Sequence, residues 1–485
     1  MDTLSNHIDH LSQFRKNFIP ILILTLLSAI VYTSAVYNNG LGITDDSVNY
    51  LHAASSFIKQ YKLLKVDNTP FTEWPPLYPL LLSLAKYTPL SLITFTSVFH
   101  GILFTLNTFL AFYLFSYFLK NRLLLYAAGI TWAFSTPTLL THVFVWSEPA
   151  FISLLLLSLI ILFKYLNQQQ PRYFIWLVVI SILLYLQRKS GLLFILSHAS
   201  ILFLLYPSSI YKKIKIVTIY LVPTIGCIII WNLIRLSIAG KVFGVAYWDP
   251  LQLKNTIYET LNTLSSWWLP DEIPLAIRLT AIGLATGILI YYLYIRRKEK
   301  NGLFLKIIIL TFFNYLLLLN LLLTYVHIND PVDDRILSPV YIPAFIIIFV
   351  LIEKLVDQLP KLKPLIYATL IAWLLYPVIR TSYHIMHWNE VGPGGYNLIA
   401  TTESALGRQI QELKNAEVIY TNHIYQAYYL ILKGNNDIEI ININSSANNK
   451  SGLYVCFGQT NCSDIAERDK IIIYKDNQGE IFKLK

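Results

Sequence analysis

Two adjacent carboxylates, Asp45 and Asp46, follow the first apolar stretch of the chain after a short polar connection. That stretch, residues 18–37, carries no charged side chain and is long enough to cross a hydrocarbon core of roughly 30 Å. Ionisable groups are costly near a bilayer, and neighbouring carboxylates repel each other. The pair therefore suits work as a general base, a metal ligand or a cation site at the membrane–water boundary. The plain alternative is a helix start over 47–63, where Asp is favoured.

Two further acidic residues stand beside prolines at predicted helix starts. Glu73 and Trp74 precede Pro75-Pro76, and Glu148 opens a later apolar stretch within Ser-Glu-Pro. Because proline is tolerated in the first turn, both places are good helix starts. A helix start is the favoured interpretation of Glu148, but it does not explain Glu73 with Trp74. An acid beside an aromatic side chain suits recognition of a hydroxylated ligand or a cation.

The composition is that of a polytopic membrane protein. Of 485 residues, 55% are hydrophobic and only 14% are charged, whereas soluble domains carry about a quarter charged residues. The net charge of +10 does not indicate nucleic acid, because the cations lie between apolar stretches, as in loops that face anionic lipid. The sequence therefore predicts a mostly helical transmembrane bundle, and its first stretch is too long for a signal-peptide core.

Apolar stretches of membrane-spanning length recur along the chain, and we count about eleven. They cover residues 18–37, 92–119, 122–141, 147–166, 172–187, 190–206, 214–239, 275–296, 303–326, 335–356 and 364–382. Lys and Arg gather at alternate ends, which the positive-inside rule assigns to the cytoplasm together with the N-terminus. The first outer loop is then 38–91, in which 47–63 and 75–88 are predicted as interfacial helices.

Two cationic sites break the positive-inside rule. Arg188-Lys189, and Arg335 after Asp334, fall at outer ends of predicted spans. Cations kept there need an anionic partner, which a nearby Asp, a lipid headgroup or the phosphate of a bound lipid ligand would supply. A metal site is only weakly indicated, because its candidates lack tight ligand spacing: His327, Asp330 and Asp333. We assign no metal ligand and no certain cofactor, and a divalent metal stays open.

The last hundred residues have a different pattern. Short β-branched runs separated by Asn, Gly and Asp predict strands, with helices over about 403–414 and around 423–432. Residues 386–485 are therefore expected to form a small α/β domain outside the membrane, after a transmembrane domain over 1–385. Cys456 and Cys462 could pair if this domain faces an oxidising compartment.

The order of these features resembles a known superfamily. One span and an outer Asp-Asp are followed by Pro-Pro-Leu-Tyr-Pro, which contains Tyr78. Later come Ser-Glu-Pro with Glu148, Arg-Lys-Ser-Gly from Arg188, and Asp-Asp-Arg ending at Arg335. Over residues 15–385 the chain resembles the C-type integral membrane glycosyltransferases (GT-C), in the branch of the protein O-mannosyltransferases and the lipid A aminoarabinose transferases. Trp74 stands where the latter tend to have Lys.

The resemblance implies a polyprenyl- or dolichyl-phosphate sugar as donor and a lipid, glycan or protein as acceptor on the extracytoplasmic face. It places an inverting catalytic base on Asp45, with Asp46 as its partner. Cations would stabilise the departing phosphate. The expected donor- and acceptor-binding residues are Glu73, Trp74, Tyr78, Glu148, Arg188, Lys189, Asp334 and Arg335.

Three other functions stay open. A flippase or transporter of lipid-linked glycans would place ionisable groups near the midplane and use paired broken helices, whereas the charges here cluster at one surface. A membrane polysaccharide polymerase would concentrate its function in large outer loops between late spans. A non-catalytic scaffold leaves the outer cations and Glu73 unexplained. The expected location is the bacterial inner membrane, with the C-terminus outside.

Overall fold

The computed structural model describes residues 17–239, 249–295, 302–326, 331–413, 418–434, 438–443, 452–458 and 470–484. Up to Ala239 the helices are α1 (Phe18–Val36), α2 (Asp45–Gln60), α3 (Leu77–Leu82), α4 (Leu92–Phe118), α5 (Arg122–Ala133), α6 (Thr136–Val143), α7 (Glu148–Gln168), α8 (Pro171–Gln187), α9 (Gly191–Leu205) and α10 (Ile210–Ala239). Beyond it they are α11 (Pro250–Ser266), α12 (Leu275–Ile295), α13 (Leu303–Tyr325), α14 (Asp334–Leu337), α15 (Tyr341–Gln358), α16 (Lys363–Val391), α17 (Ile399–Thr402), α18 (Ala405–Gln411) and α19 (Ile424–Lys433). The strands are β1 (Val418–Thr421), β2 (Glu439–Asn442), β3 (Gly452–Phe457), β4 (Lys470–Lys475) and β5 (Gly479–Leu484).

The predicted spans are confirmed as helices. Among the described residues, eight helical stretches are long and apolar enough to cross a membrane. They are Phe18–Val36, Leu92–Phe118, Arg122–Val143, Glu148–Gln168, Ile210–Ile238, Leu303–Tyr325, Asp334–Gln358 and Pro360–Val391. Three shorter apolar helices, Pro171–Gln187, Gly191–Leu205 and Leu275–Leu289, occupy the other predicted stretches. The chain is therefore an integral membrane protein.

The chain divides into two compact units. The first, here the bundle unit, comprises the residues up to Val31, Ile102–His142 and Ser147–Ser382. Its core is made of large buried side chains on α4, α5, α7, α9, α13 and α15, among them Phe112, Trp132, Phe151, Phe194, Tyr315 and Phe345. The spans thus pack through aromatic and branched side chains, where dispersion contacts stabilise helices in lipid.

The second unit, here the loop unit, comprises Tyr32–Gly101, Val143–Trp146 and the residues from Tyr383 onward. It therefore joins the first loop to the C-terminal segment. In the loop, α2 matches the predicted 47–63 helix, and α3 with the following 3-10 turn Ser83–Tyr87 matches 75–88. The predicted division into domains 1–385 and 386–485 stays a prediction.

A five-stranded sheet lies in the C-terminal segment, in the order β2-β1-β3-β5-β4. β1 pairs in parallel with β2 and β3, whereas β5 runs antiparallel to β3 and β4. The sequence analysis named four of these strands and missed β5, although its apolar Ile481, Phe482 and Leu484 follow the turn that ends at Gly479. Cys456 is buried in β3; Cys462 lies outside the described residues, so their pairing stays a prediction.

The first loop and the C-terminal segment meet through backbone pairing. Ile43 forms a parallel bridge with Gly395, and Gly42 forms one with Phe144. Tyr396 N–H donates to the Ile43 carbonyl at 2.8 Å. Gly395 has φ +62°, and a Cβ there would collide with the Ile43 carbonyl oxygen. Only glycine fits this crossing, because it tolerates both the left-handed backbone and the close approach.

Replacement of this glycine provides a first prediction. Gly395→Ala is expected to lower the unfolding temperature of the protein, because the left-handed backbone alone costs about 1–3 kcal/mol for a residue with a side chain. The steric clash with Ile43 adds to that cost. Gly226→Ala is the matched control, since nothing lies within 4 Å of a Cβ at that position. Equal unfolding temperatures for the two variants would contradict the bridge.

Candidate functional site

Asp45 and Asp46 lie in the first turn of α2. Thr44 is the N-cap residue, and its side chain and that of Ser47 form a reciprocal capping box. Asp45 is exposed and Asp46 is half-buried. Because Thr44 and Ser47 already cap the helix, the carboxylates are not needed for that task. Their contribution to α2 is limited to a favourable interaction with the helix dipole.

Asp45 is held by a residue from the far end of the chain. Tyr396 Oη donates a hydrogen bond to Asp45 Oδ1 at 2.5 Å. The Tyr396 ring packs edge-on against His423, with centroids 5.5 Å apart. Burial, together with the hydrogen bond and charge of Asp45, raises the pKa of Tyr396 well above its usual value. The phenol therefore stays protonated and keeps donating to the carboxylate throughout the physiological pH range.

The chain just before Asp45 is fixed by side chains as well as by the backbone bridges. Asn397, which is buried, donates through Nδ2 to the carbonyls of Asn39 and Leu41. Lys433 Nζ donates to Asn397 Oδ1 at 3.3 Å, and Trp146 Nε1 donates to Thr44 Oγ1 at 3.0 Å. A carboxylate at this position is therefore held on a rigid support, as a catalytic group requires.

Glu73 lies elsewhere in the first loop and has a local partner. It is exposed and pairs with Lys65 at 2.9 Å, and Lys65 also contacts Asp67 at 3.6 Å. Burial would lower the pKa of Lys65, but the hydrogen bond and charge of Glu73, with the charge of Asp67, raise it overall. An exposed pair of this kind adds little stability, so Glu73 is still able to exchange Lys65 for a ligand.

Aromatic side chains form a cluster around Tyr50 in the same loop. Tyr50 contacts Tyr78 edge-on at 4.9 Å between centroids, and Trp74 at 6.0 Å. Tyr78 is fully buried, and its hydroxyl bonds His100 Nε2 at 2.6 Å. Trp74 is half-buried and stacks on Phe71. Of the predicted binding residues here, Trp74 offers a surface to a ligand, whereas Tyr78 supports the cluster from within.

The Tyr396 contact gives a second prediction. Tyr396→Phe removes one hydroxyl and keeps the ring against His423. We expect the sugar transfer that the sequence resemblance implies to fall about tenfold, the value of one hydrogen bond to a charged group, with an unchanged unfolding temperature. Tyr425→Phe is the matched control, because Tyr425 lies in the electrostatic surroundings of Tyr396 without bonding to Asp45. An unchanged turnover number in Tyr396→Phe would show that the phenol does not position Asp45.

In the bundle unit, three predicted residues meet in what we call the Glu148 cluster. Glu148 is fully buried at the start of α7 and pairs with both Arg188 and Arg335; Arg335 Nε lies 2.5 Å from Glu148 Oε1. The two arginine side chains are 20% and 18% exposed, respectively. Two guanidinium groups thus share one enclosed carboxylate and still reach the surface, where an anion can bind them.

Neutral hydrogen bonds position the start of α7. Asn107 Nδ2 donates to the Pro149 carbonyl at 2.9 Å and to His142 Nε2 at 3.0 Å. Gln187 Nε2 donates to the Ser147 carbonyl at 2.9 Å. Because all these groups are buried, the network fixes the backbone on both sides of Glu148.

Asp334 and Lys189 complete the predicted set. Asp334 does not pair with Arg335 through a described ion pair; its Oδ1 accepts from Trp267 Nε1 at 2.7 Å. Asp333, which is exposed, caps α14 through Ile336 N–H. Lys189 is exposed beside Arg188. In the described ranges, no group of three or more His, Cys, Asp or Glu residues could hold a metal ion. His327 and Asp330 lie outside those ranges.

Tyr396 and Asn397 are functional candidates that the sequence analysis missed. Both follow the glycine run 392–395, a turn signal that predicts an ordinary connection after the last span. Positive φ at Gly392, Gly394 and Gly395 shows that the run makes a specific turn. The sequence signal that could have identified Tyr396 and Asn397 is the glycine run directly before them.

Comparison with known proteins gives a match by structure only. The crystal structure of ArnT from Cupriavidus metallidurans bound to undecaprenyl phosphate matches with a TM-score of 0.59 at 8% sequence identity, covering 96% of this chain and 97% of that chain. The apo structure gives 0.58 at 9% identity, with the same coverage. No family model and no curated protein matches the sequence. The chain therefore has the fold of ArnT, and the fold that the sequence resemblance implied is confirmed.

Proposed function

We propose that this protein is a membrane glycosyltransferase that moves a sugar from a polyprenyl-phosphate donor to a hydroxyl acceptor on the extracytoplasmic face. The observation that carries the proposal is the match to ArnT over almost the entire length of both chains, in a structure that holds undecaprenyl phosphate. Two features of this chain support it: the supported, exposed carboxylate of Asp45 and the paired arginines of the Glu148 cluster.

Asp45 is proposed as the base. A carboxylate that takes the proton of an acceptor hydroxyl must be accessible and held in one orientation. Asp45 is exposed, and Tyr396 bonds only its Oδ1, so Oδ2 is left to take the proton of the acceptor. Because the donor brings its own phosphate leaving group, direct attack by the acceptor inverts the anomeric carbon.

The Glu148 cluster is proposed to bind the donor phosphate. As the glycosidic bond breaks, negative charge grows on the phosphate oxygens, and guanidinium groups stabilise it without a proton transfer. Arginine is suited to this task because its planar donors match two phosphate oxygens at once. Glu148 holds Arg188 and Arg335 side by side before the donor arrives.

An apolar cavity in the bundle unit suits the hydrocarbon part of such a donor. Its volume is about 550 Å³, and its walls include Trp268, Leu289, Phe312, Ile347, Leu351 and Trp373. Trp268 follows Trp267, which bonds Asp334 beside Arg335. The cavity wall and the Glu148 cluster are therefore connected through the Trp267–Asp334 hydrogen bond and the chain neighbours of its two residues. A prenyl chain has no polar groups to satisfy and gains from such a lining.

The test is transfer from polyprenyl-phosphate donors that carry a radiolabelled sugar. Purified protein in lipid nanodiscs is incubated with each donor and with lipid, glycan or peptide acceptors. We expect label to leave the donor only when protein is present, and the product to carry the inverted anomer. Movement of the labelled donor across the membrane of sealed proteoliposomes, with its sugar still attached, would overturn the proposal in favour of a flippase.

A further inference from the structure

A further cation lies near the end of α10, away from the Glu148 cluster in sequence. Arg235 is only 7% exposed. Its Nη1 donates to Asn232 Oδ1 at 3.0 Å, whereas its Nε is buried without a hydrogen-bond partner. No described carboxylate forms an ion pair with it, and residues 240–248 that follow contain no Asp or Glu. Within the part of the chain that the structure describes, no carboxylate therefore compensates the charge of Arg235.

A second unsatisfied donor lies on the same face of α10. Trp231 Nε1 is also buried without a partner. Residues four apart on a helix are neighbours on one face, so Trp231 and Arg235 lie on the same face of α10. Asn232 Nδ2 is occupied by Tyr185 Oη and the Ile228 carbonyl, which orients its Oδ1 toward Arg235. Trp231, Asn232 and Arg235 make up the α10 donor face.

Two orphaned donors, one of them charged, are expensive in an apolar environment. A buried polar group without a partner costs several kcal/mol, and an unpaired charge costs more. Arginine near a helix end relieves this cost by snorkelling, in which the head reaches water. Arg235 does not do so, because its side chain is enclosed. An acceptor from outside the chain would satisfy both N–H groups together.

The depth of Arg235 identifies the class of acceptor. Lys213, near the start of α10, is half-buried and is cytoplasmic by the positive-inside rule. The rise of 1.5 Å per residue places Arg235 about 33 Å further along the helix. This is close to the thickness of the hydrocarbon core, roughly 30 Å. Arg235 thus reaches the opposite layer of lipid headgroups, where phosphate is the abundant anion.

The surroundings of the donor face are apolar. Leu233, Ile234 and Leu236 are 59%, 43% and 45% exposed, respectively, as expected for side chains that contact acyl chains. A lipid whose tails pack on these residues would bring its phosphate to the level of Arg235. A free anion would gain no such contacts.

We propose that the α10 donor face binds the phosphate group of a membrane lipid at the outer leaflet. The phosphate oxygens accept from Arg235 Nε and Trp231 Nε1, and the lipid tails cover the exposed side of α10. The inference does not rest on the proposed transferase activity, because it uses neither Asp45 nor the Glu148 cluster. A resident phospholipid and a polyprenyl phosphate share this chemistry.

Lipid binding to the purified full-length protein tests the proposal. Delipidated protein is titrated with phosphatidylglycerol, undecaprenyl phosphate, diacylglycerol or inorganic phosphate, and bound mass is read by native mass spectrometry. Arg235→Gln is expected to weaken phospholipid binding about tenfold, the value of a charged hydrogen bond. Trp231→Phe, which removes one N–H and keeps an aromatic ring, should weaken it about threefold. Arg408→Gln is the control, since Arg408 lies in the loop unit and is already paired with Glu403.

Each outcome decides. Binding of phosphatidylglycerol or undecaprenyl phosphate that is weaker in both α10 variants than in wild type supports the site. The lipid that binds more tightly is then identified as the natural source of the phosphate group. Equal binding of diacylglycerol, equal binding of inorganic phosphate, or unchanged lipid binding in the α10 variants overturns the proposal. If Arg235→Gln does not fold, Trp231→Phe alone carries the test.

Discussion

Asp45→Asn is expected to reduce sugar transfer by about 10³-fold, since a positioned general base contributes about 10²–10⁴-fold to the rate. Asn has nearly the shape of Asp and can still accept the hydrogen bond of Tyr396, but it cannot take a proton. The loss should appear in the turnover number more than in donor affinity. The measurement is release of labelled sugar from the donor in nanodiscs, with wild type alongside.

The same variant separates catalysis from helix capping. Since Thr44 and Ser47 cap α2, loss of the Asp45 charge removes only a dipole interaction of about 0.3–1 kcal/mol. The unfolding temperature should therefore hardly change. Asp67→Asn is the matched control, an acidic residue of the same loop that pairs with Lys65, and it should transfer sugar normally. Near wild-type turnover in Asp45→Asn would remove Asp45 from the role of base.

Glu148→Gln is expected to destabilise the protein by about 3–5 kcal/mol, because removing one member of a buried ion pair leaves the others uncompensated. Arg188 and Arg335 would face each other across a neutral amide. The measurement is thermal unfolding of detergent-purified protein, together with the yield of folded protein. An unchanged unfolding temperature would show that the cluster does not depend on its carboxylate.

Arg335→Gln is the informative partner of that variant. It leaves Glu148 paired with Arg188, so the unfolding temperature should fall less, while use of the donor should weaken. The double variant Glu148→Gln with Arg335→Gln should recover part of the lost stability, because the repulsion between like charges is gone. Strictly additive effects would contradict the shared-carboxylate arrangement.

The sequence predicted the parts of this protein that depend on local pattern. Uninterrupted apolar stretches set the positions of the helices, because length and hydrophobicity alone decide what spans a bilayer. The pairing of Glu148 with Arg188 and Arg335 did not follow from the sequence, although all three residues were candidates. A nearby Asp was one of the candidate partners for Arg335, and the structure shows the Asp334 carboxylate bonded to Trp267. Adjacent residues at a helix start point in different directions, so proximity along the chain was a poor guide.

Contacts between distant segments could not be predicted from local sequence pattern either. Tyr396 and Asp45 are 351 positions apart, and no periodicity relates them. The grouping of the C-terminal segment with the first loop in one compact unit has no signal in the sequence either. Arg235 was passed over because a single Arg near the end of an apolar stretch resembles a loop cation. Its burial and missing acceptor are visible only in three dimensions.

The attachment of Tyr396 and Asn397 to the first loop has a consequence for biosynthesis. Asp45 emerges early during translation, whereas the residues that hold it and its preceding backbone are made only after the last apolar helix. A nascent chain that has inserted every span would still present an unsupported carboxylate. Asp45 would therefore gain its supporting residues only near the end of synthesis. A chain truncated before residues 392–395 would be a folded bundle that lacks the side chains holding Asp45.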